Sequence, residues 1–181
     1  TNARTVTITQ SDTNVTARSN TDAVTFNVGA QAFTGMISGE STIDDNLSLD
    51  NGADISGGTI ANVEALILAS GASVRFSAAQ NQGFTGAIIA SGTGINGEEI
   101  TIVGDGAVTT LANVENYQIG DDSTNTRSVT ITSAFTNVSV NSASDAVTFT
   151  IGALVYAGAI SGEVSVDDIL NLENGADVSG G

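Results

Sequence analysis

The sequence predicts an all-β protein, a right-handed parallel β-solenoid built from tandem repeats, and three observations lead to this fold. Residues 1–58 return as residues 124–181 in the same register, and 34 of the 58 paired positions are identical. Short segments alternate apolar and polar residues, as strands that bury one face do. The repeat also contains two related halves that differ by about one solenoid coil. Long-period self-similarity of this kind is typical of stacked units that contact only their neighbours.

The repeat unit spans residues 1–123, and residues 124–181 form a partial second copy in a single continuous array over residues 1–181. The motif at residues 33–37 recurs at residues 84–88 and again at residues 156–160, so the second interval is longer than the first. Because the excess is about 20 residues, the typical length of a solenoid coil, one half has gained one coil. Seven coils of about 17–18 residues and five of about 24–25 both divide the unit acceptably.

The predicted strands follow one another at a short, regular interval. The first alternates strictly as Thr-Val-Thr-Ile-Thr over residues 5–9. Apolar residues then recur every nine positions, which fits a strand of about five residues and a turn of about four. The positions in this series are Val6, Val15, Val24 and Phe33 in the first copy and Val129, Val138, Val147 and Tyr156 in the second.

Asp, Asn, Ser and Gly mark the turns between strands, for example at residues 10–12 and 50–52. Residues 77–83 form the one helix-like stretch, of a turn or two. Val, Ile, Leu and Phe are expected to face the core, with Thr, Ser and Asn outside. The alternative fold is a string of immunoglobulin-like β-sandwiches, because short strands at this spacing fit that architecture too.

Composition excludes several classes of function. The chain has 20 Asp and Glu against 4 Arg, and the net charge of −16 disfavours nucleic acid and anionic lipid as partners. No apolar run approaches the ~18 residues of a membrane span, so no membrane insertion is expected. Without His, Cys or Lys there is no ordinary zinc site, thiol nucleophile or Ser-His-Asp triad. The paired acids lie in repeated turns, which indicates a structural role rather than an enzyme, since one active site needs no copy.

Calcium is the one cofactor that the sequence predicts. Calcium binds six to eight oxygens, and turns rich in Asp, Asn and Gly supply carboxylates and carbonyls. The competing interpretation is that such turns favour Asp for conformational reasons and that the charge serves solubility. The candidate metal ligands are Asp44, Asp45, Asp50, Asp54, Asp121, Asp122, Asp167, Asp168, Glu173 and Asp177.

The two arginines Arg4 and Arg127 occupy equivalent positions in the two copies. In a chain with four cations, we expect them to pair with acids on a neighbouring coil or subunit. An isolated surface pair of this kind contributes about 0–1 kcal/mol.

Four features carry a resemblance to a known class of proteins. These are the Cys-free composition rich in Gly, Ala, Thr, Asn and Asp, the Asn-Val-Glu motif before the apolar strand at residues 62–68, the run at residues 71–80, and residues 51–58, which are similar to half of an RTX nonapeptide. Together they resemble the repeat regions of type-I-secreted bacterial surface proteins, a class that includes RTX adhesins and surface-layer proteins. The full tandem Gly-Gly-x-Gly-x-Asp array is absent, so the RTX calcium roll is not carried over. The resemblance implies an extracellular or cell-surface location and a structural or adhesive role.

The predicted function is therefore that of a structural repeat segment, which forms a stiff rod, a surface layer or a filament. The expected partners are further copies of the chain, stacked head to tail or laterally. The alternative is an adhesin repeat that binds a glycan or a host surface ligand. A minor alternative is an ice-binding face made by the Thr-x-Thr runs at residues 5–9 and 128–132.

Overall fold

The computed structural model of the chain is a parallel β-solenoid of about seven turns, as the repeat predicts. The structure describes residues 4–18, 21–90, 97–120, 127–141 and 146–180. In this part of the chain, every pairing between named strands is parallel. The immunoglobulin-like alternative is thereby excluded, because those sandwiches are built from antiparallel sheets.

The described residues form 17 strands and one short helix. In chain order these are β1 (Arg4–Ile8), β2 (Asn14–Thr16), β3 (Val24–Val28), β4 (Met36–Ser38), β5 (Asn46–Leu49), β6 (Thr59–Ala61), β7 (Ala65–Leu68), β8 (Ser73–Ser77), α1 (Ala78–Gly83), β9 (Ile88–Ala90), β10 (Glu99–Val103), β11 (Ala107–Thr109), β12 (Asn116–Gly120), β13 (Arg127–Ile131), β14 (Asn137–Asn141), β15 (Val147–Ile151), β16 (Ile160–Ser161) and β17 (Ile169–Leu172).

Strands that are adjacent in a sheet lie on successive coils, so each sheet runs along the solenoid axis. One sheet has the order β1-β3-β5-β7-β9, and a second has the order β16-β14-β12-β10-β8. The remaining two are β11-β13-β15-β17 and β2-β4-β6. Each strand therefore pairs with strands about one coil away in the sequence and not with its immediate neighbour.

The register of the first sheet gives the length of a coil. Val6, Phe26, Leu47, Leu66 and Ile88 align across the sheet on five successive coils. Their numbers advance by about 20 residues per coil, the usual scale of such a repeat. This length lies between the two coil lengths obtained by dividing the repeat unit into seven or five, so neither division is right. It equals the difference in length between the two halves of the repeat, as expected if one half contains one additional coil. The regular step fails once, in the second sheet, where the advance from β8 to β10 is longer and that from β10 to β12 is shorter.

The core is a ladder of aliphatic and aromatic side chains that stack along the axis. Phe26, Leu47 and Leu66 are fully buried at one register position on three successive coils. All members of the nine-residue series are buried in the second copy. In the first copy, Val6 and Val15 are only partly buried, because β1 and β2 have no further rung on their outer side among the described strands.

Helix α1 follows β8 directly, as the sequence predicts, and it is the only helix among the described residues. Its N-cap, Ser77, accepts a hydrogen bond from the backbone N–H of Gln80, and the Gln80 side chain accepts one from the Ser77 N–H in return. Nothing in the described helical structure is long and apolar enough to cross a bilayer. The helix packs against β6, β8, β10 and β11 at the point where the regular register fails.

Candidate functional site

The strand β17 exposes a row of aliphatic side chains at one end of the solenoid. Ile169, Leu170 and Leu172 are 53%, 51% and 50% exposed. One repeat earlier, Leu47 and Leu49 occupy the positions of Leu170 and Leu172 and are 0% exposed. The difference arises because β7 covers β5, whereas the described residues contain no strand that covers β17. The same apolar positions are thus core in one copy and surface in the other.

The opposite end of the solenoid repeats this relation. Strand β1 pairs with β3 alone among the described strands, although its counterpart β13 lies between β11 and β15. Ile8 and Val6 face inward at this end, in line with Phe26 and Val28 of the next coil. Both ends therefore present strand edges whose repeat equivalents are covered by another rung.

The acidic pair at residues 44–45 separates into a buried and an exposed carboxylate. Asp45 is 0% exposed, and its carboxylate oxygens accept hydrogen bonds from the backbone N–H groups of Val24 (2.7 Å) and Glu40 (2.7 Å). Asp44 is exposed to solvent. Through the hydrogen bond from Val24, at the start of β3, the Asp45 carboxylate therefore links its own coil to the preceding one.

The second copy reproduces this arrangement at residues 167–168. The Asp168 carboxylate accepts hydrogen bonds from the backbone N–H groups of Val147 (2.8 Å) and Glu163 (2.9 Å), and Asp167 is exposed. Side-chain acceptors for main-chain N–H groups are a structural use of Asp that sequence alone does not distinguish from a metal ligand. Because both copies make the same pair of hydrogen bonds, accepting main-chain N–H groups is a structural role of this Asp in each repeat.

The acids around the Asn-Gly-Ala turns make separate local contacts. Asp54 forms an ion pair with Arg75, at 3.4 Å from Nε, and accepts hydrogen bonds from the N–H and hydroxyl of Ser56. Asp177 accepts the N–H of Ser179, and this hydrogen bond holds the pKa of Asp177 below its ordinary value. Asp50 and Glu173 are exposed.

Among the residues that the structure describes, no three acidic side chains come together as a metal-binding group. Asp121 and Asp122 lie outside the described residues. Asp44, Asp50, Asp167 and Glu173 keep their carboxylates at the surface. A calcium site at these turns stays a prediction.

Two stacked pairs of acids were missed by sequence reasoning. Glu64 precedes β7, and its Oε2 accepts the backbone N–H of Asp45 on the adjacent coil (3.2 Å). Glu115 precedes β12, and its Oε2 accepts the backbone N–H of Glu98 in the same way (3.1 Å). The repeated Ala-Asn-Val-Glu motif at residues 61–64 and 112–115 was the signal that could have found them, since it places a Glu directly before a strand each time.

The two repeat-equivalent arginines have different environments. Arg4 pairs with Asp22, which lies just before β3 on the adjacent coil, at 3.9 Å and with its side chain 62% exposed. This contact is the inter-coil pairing that was predicted for Arg4. Arg127 is instead only 1% exposed, because β13 has a covering rung and β1 has none among the described strands.

Aromatic side chains are nearly all in the core. Seven of the eight are at most 5% exposed, and Phe135 alone is exposed, at 73%. Two buried tyrosines hydrogen-bond inside the coil stack: the Tyr117 hydroxyl donates to Asn81 Oδ1 (3.1 Å), and the Tyr156 hydroxyl donates to the Thr136 carbonyl (2.7 Å). Burial raises the pKa of both phenols, to about 12 for Tyr156. Sugar recognition by stacking would therefore depend on Phe135.

Outward threonines form one short column. Thr109, Thr130 and Thr150 align on three successive coils of the sheet that contains β11, and the column continues as Asn171. On the first sheet, the outward row that begins with Thr5 and Thr25 changes to Asn46 after two coils. The two Thr-x-Thr runs thus lie on separate sheets and do not make one long hydroxyl face.

A cleft of about 370 Å³ lies beside α1, lined in part by Asn62, Glu64, Gln80 and Thr85. The Gln80 side-chain amide donates to the carbonyls of Ile55 (2.6 Å) and Gly58 (2.9 Å). The Glu64 carboxylate accepts the hydrogen bond from the Asp45 N–H, as described above. These polar groups make hydrogen bonds within the fold.

Comparison of the chain with protein-family models, with curated proteins and with solved structures gives no match.

Proposed function

We propose that the chain is a structural solenoid segment of an extracellular bacterial surface protein, and that it assembles by adding rungs end to end. The single observation that carries this proposal is the exposure of β17, whose counterpart β5 is a buried core strand. An unpaired strand edge with exposed aliphatic side chains is a template for a further strand. The packing that such a strand would make on β17 already occurs inside the chain, where β7 covers β5.

A second copy of the chain supplies a strand of matching pattern. Val6 and Ile8 of β1 face inward at the positions that Leu66 and Leu68 occupy where β7 covers β5. A copy that places β1 on β17 buries Leu170 and Leu172 beneath Val6 and Ile8. Because this contact joins two different surfaces, it does not close on itself and produces a filament.

The surface location and the use of calcium are proposed on the composition. A chain without Cys, with 20 acids and a net charge of −16, is suited to remain soluble outside the cell and to attract divalent cations. The likeness to type-I-secreted repeat regions supports the same location. A glycan-binding adhesin is a weaker proposal, since Phe135 is the one exposed aromatic among the described residues.

The assembly proposal is tested with charge substitutions in β17. Leu170→Lys places an ammonium group on the apolar row, so we expect it to weaken the association constant at least tenfold, which corresponds to about 1.4 kcal/mol per contact. Asn171→Lys is the matched control, because Asn171 is an outward, exposed position in the same strand. Sedimentation velocity and negative-stain electron microscopy report the size and shape of the particles.

The wild type and Asn171→Lys should form elongated particles as the concentration rises, and Leu170→Lys should stay monomeric. A wild type that remains a monodisperse monomer at high concentration would contradict the proposal. So would a Leu170→Lys variant that assembles as the wild type does.

A further inference from the structure

Two Asn-Gly turns of the chain have the same sequence and the same local geometry. Residues 51–54 and residues 174–177 both read Asn-Gly-Ala-Asp. In each turn the N–H of the Ala donates to the carbonyl three residues before it, at 3.1 Å in the first copy and 3.0 Å in the second. Gly52 and Gly175 have positive φ angles of 85° and 94°. The two turns therefore differ only in what surrounds them.

Among the described residues, the first turn is held by the next coil and the second is not. The backbone N–H of Ser73, at the start of β8, donates to Asn51 Oδ1 (2.9 Å), and the Ser73 carbonyl accepts the N–H of Gly52 (2.8 Å). No residue in the described part of the chain makes either contact with Asn174 or Gly175. Both asparagines are exposed, so the access of water does not distinguish the two turns.

An Asn-Gly sequence is chemically prone to deamidation of the asparagine side chain. A base removes the proton of the glycine N–H, and the backbone nitrogen attacks Cγ of the asparagine. The new N–C bond closes a five-membered succinimide ring, and the side-chain nitrogen takes up a proton and leaves as ammonia. Water then opens the ring at either carbonyl, which gives an aspartyl or an isoaspartyl residue. Glycine favours the attack because it has no Cβ and its backbone rotates freely.

The two hydrogen bonds to Ser73 involve the two groups that have to react. One engages the N–H of Gly52, whose nitrogen is the nucleophile, and the other fixes the amide of Asn51, which contains the electrophilic carbon. Both have to break before the nitrogen turns toward Cγ, so the reaction at Asn51 requires local opening of the coil. The described contacts impose no such opening on Asn174.

We propose that Asn174 is a site of spontaneous deamidation in the folded chain, and that the covering coil protects the equivalent Asn51. The reaction turns a neutral side chain into a carboxylate, so it adds a negative charge directly after β17. A coil that places a residue like Ser73 over Asn174 would suppress the reaction. This inference does not depend on the proposed assembly, because it compares two turns of one monomer.

Peptide mapping by mass spectrometry follows both turns in the wild-type protein. Trypsin cleaves after Arg18, Arg75 and Arg127, so the two turns lie on separate peptides. The protein is incubated for days at mildly alkaline pH, at a concentration at which sedimentation velocity shows only monomer. We expect Asn174 to deamidate at least about tenfold faster than Asn51, since only Asn51 reacts through local opening.

The same chain in urea provides the control for intrinsic reactivity. Unfolding removes the contacts with Ser73 and leaves two sites of the same local sequence, so we expect Asn51 and Asn174 to react there at similar rates. Equal rates in the folded protein would overturn the proposal. So would the absence of reaction at Asn174 in the folded protein over the time in which the unfolded chain reacts.

Two variants of Ser73 test the contact itself. Ser73→Pro removes the backbone N–H that Asn51 accepts, at the first position of a strand, where proline is tolerated. Ser73→Ala is the matched control, because it keeps this N–H and loses only the hydroxyl. We expect Ser73→Pro to raise the rate at Asn51 several-fold and Ser73→Ala to leave it unchanged. Equal rates at Asn51 in the two variants would contradict the proposal, and the wild-type comparison decides it if Ser73→Pro does not fold.

Discussion

At the scale of single residues, Asp44 and Asp45 are neighbours in the sequence with different physical roles. Asp44 is solvated, whereas Asp45 is buried and accepts two main-chain N–H groups from separate parts of the chain before it. Both were predicted as calcium ligands because their residue type and spacing are alike. The alternation of inward and outward positions next to β5 determines which of the two is buried.

This difference gives a prediction about stability. Asp45→Ala removes the acceptor of the buried Val24 N–H and of the partly buried Glu40 N–H, so we expect it to lower the free energy of unfolding by about 1–3 kcal/mol. Asp44→Ala removes an exposed carboxylate, and its effect should stay within about 0.5 kcal/mol. Urea unfolding followed by circular dichroism measures both. Equal losses in the two variants would mean that the Asp45 hydrogen bonds do not stabilise the fold.

The contrast between Arg4 and Arg127 has the same kind of origin. Both residues begin equivalent strands, β1 and β13, and the surrounding sequence predicts the same position for both. Whether a covering coil is present decides that one is solvated and the other buried. Repeat equivalence in sequence therefore predicts backbone position better than it predicts environment.

At the scale of elements, α1 is where the regular stacking is interrupted and then resumed. The buried side chain of Asn81 connects the helix to two later strands: its Nδ2 donates to the Thr109 carbonyl on β11 (2.8 Å), and its Oδ1 accepts the Tyr117 hydroxyl of β12 (3.1 Å). The sequence indicates the helix through Ser77 and Gln80. The partners of Asn81 are more than a coil away along the chain, and no local pattern identifies them.

Substitution of Asn81 tests this connection. Asn81→Ala removes the acceptor of the buried Tyr117 hydroxyl and the side-chain donor to the Thr109 carbonyl, so we expect a loss of about 1–3 kcal/mol in the free energy of unfolding. Gln82→Ala is the control, since Gln82 also donates to a carbonyl, that of Ala107, but at an exposed position. We expect it to cost less than about 1 kcal/mol. Thermal or urea unfolding would contradict this account if Gln82→Ala cost as much as Asn81→Ala.

At the scale of the whole molecule, the net charge of −16 acts against compactness. Salt screens this repulsion whether or not a specific cation site exists. Calcium bound at the acidic turns would stabilise the folded chain further, by about 2.7 kcal/mol when the free calcium concentration is about 100 times Kd. Screening and specific binding therefore differ in their dependence on the identity of the ion.

We expect millimolar calcium to raise the melting temperature more than sodium chloride at the same ionic strength, and a chelator to reverse the gain. Magnesium serves as the divalent control, because it demands a tighter octahedral site than flexible turns provide. Melting curves that coincide for calcium, magnesium and sodium at matched ionic strength would remove calcium from the proposed function.

The sequence by itself determined the stacked β architecture, the apolar positions that recur every nine residues and face the core, and the helix after β8. These features are encoded locally, since a two-residue alternation defines a strand, a capping Ser with a Gln three residues later defines a helix start, and a long repeat requires similar coils to stack.

The tertiary structure alone decided the burial of Asp45 beside the exposed Asp44, the contact between Glu98 and Glu115, and the exposed apolar row of β17. These features depend on contacts between residues about one coil apart, and on whether a covering coil is present. Neither is visible in a window as short as one strand and its turn, because the strand pattern is the same for a covered rung and an uncovered one.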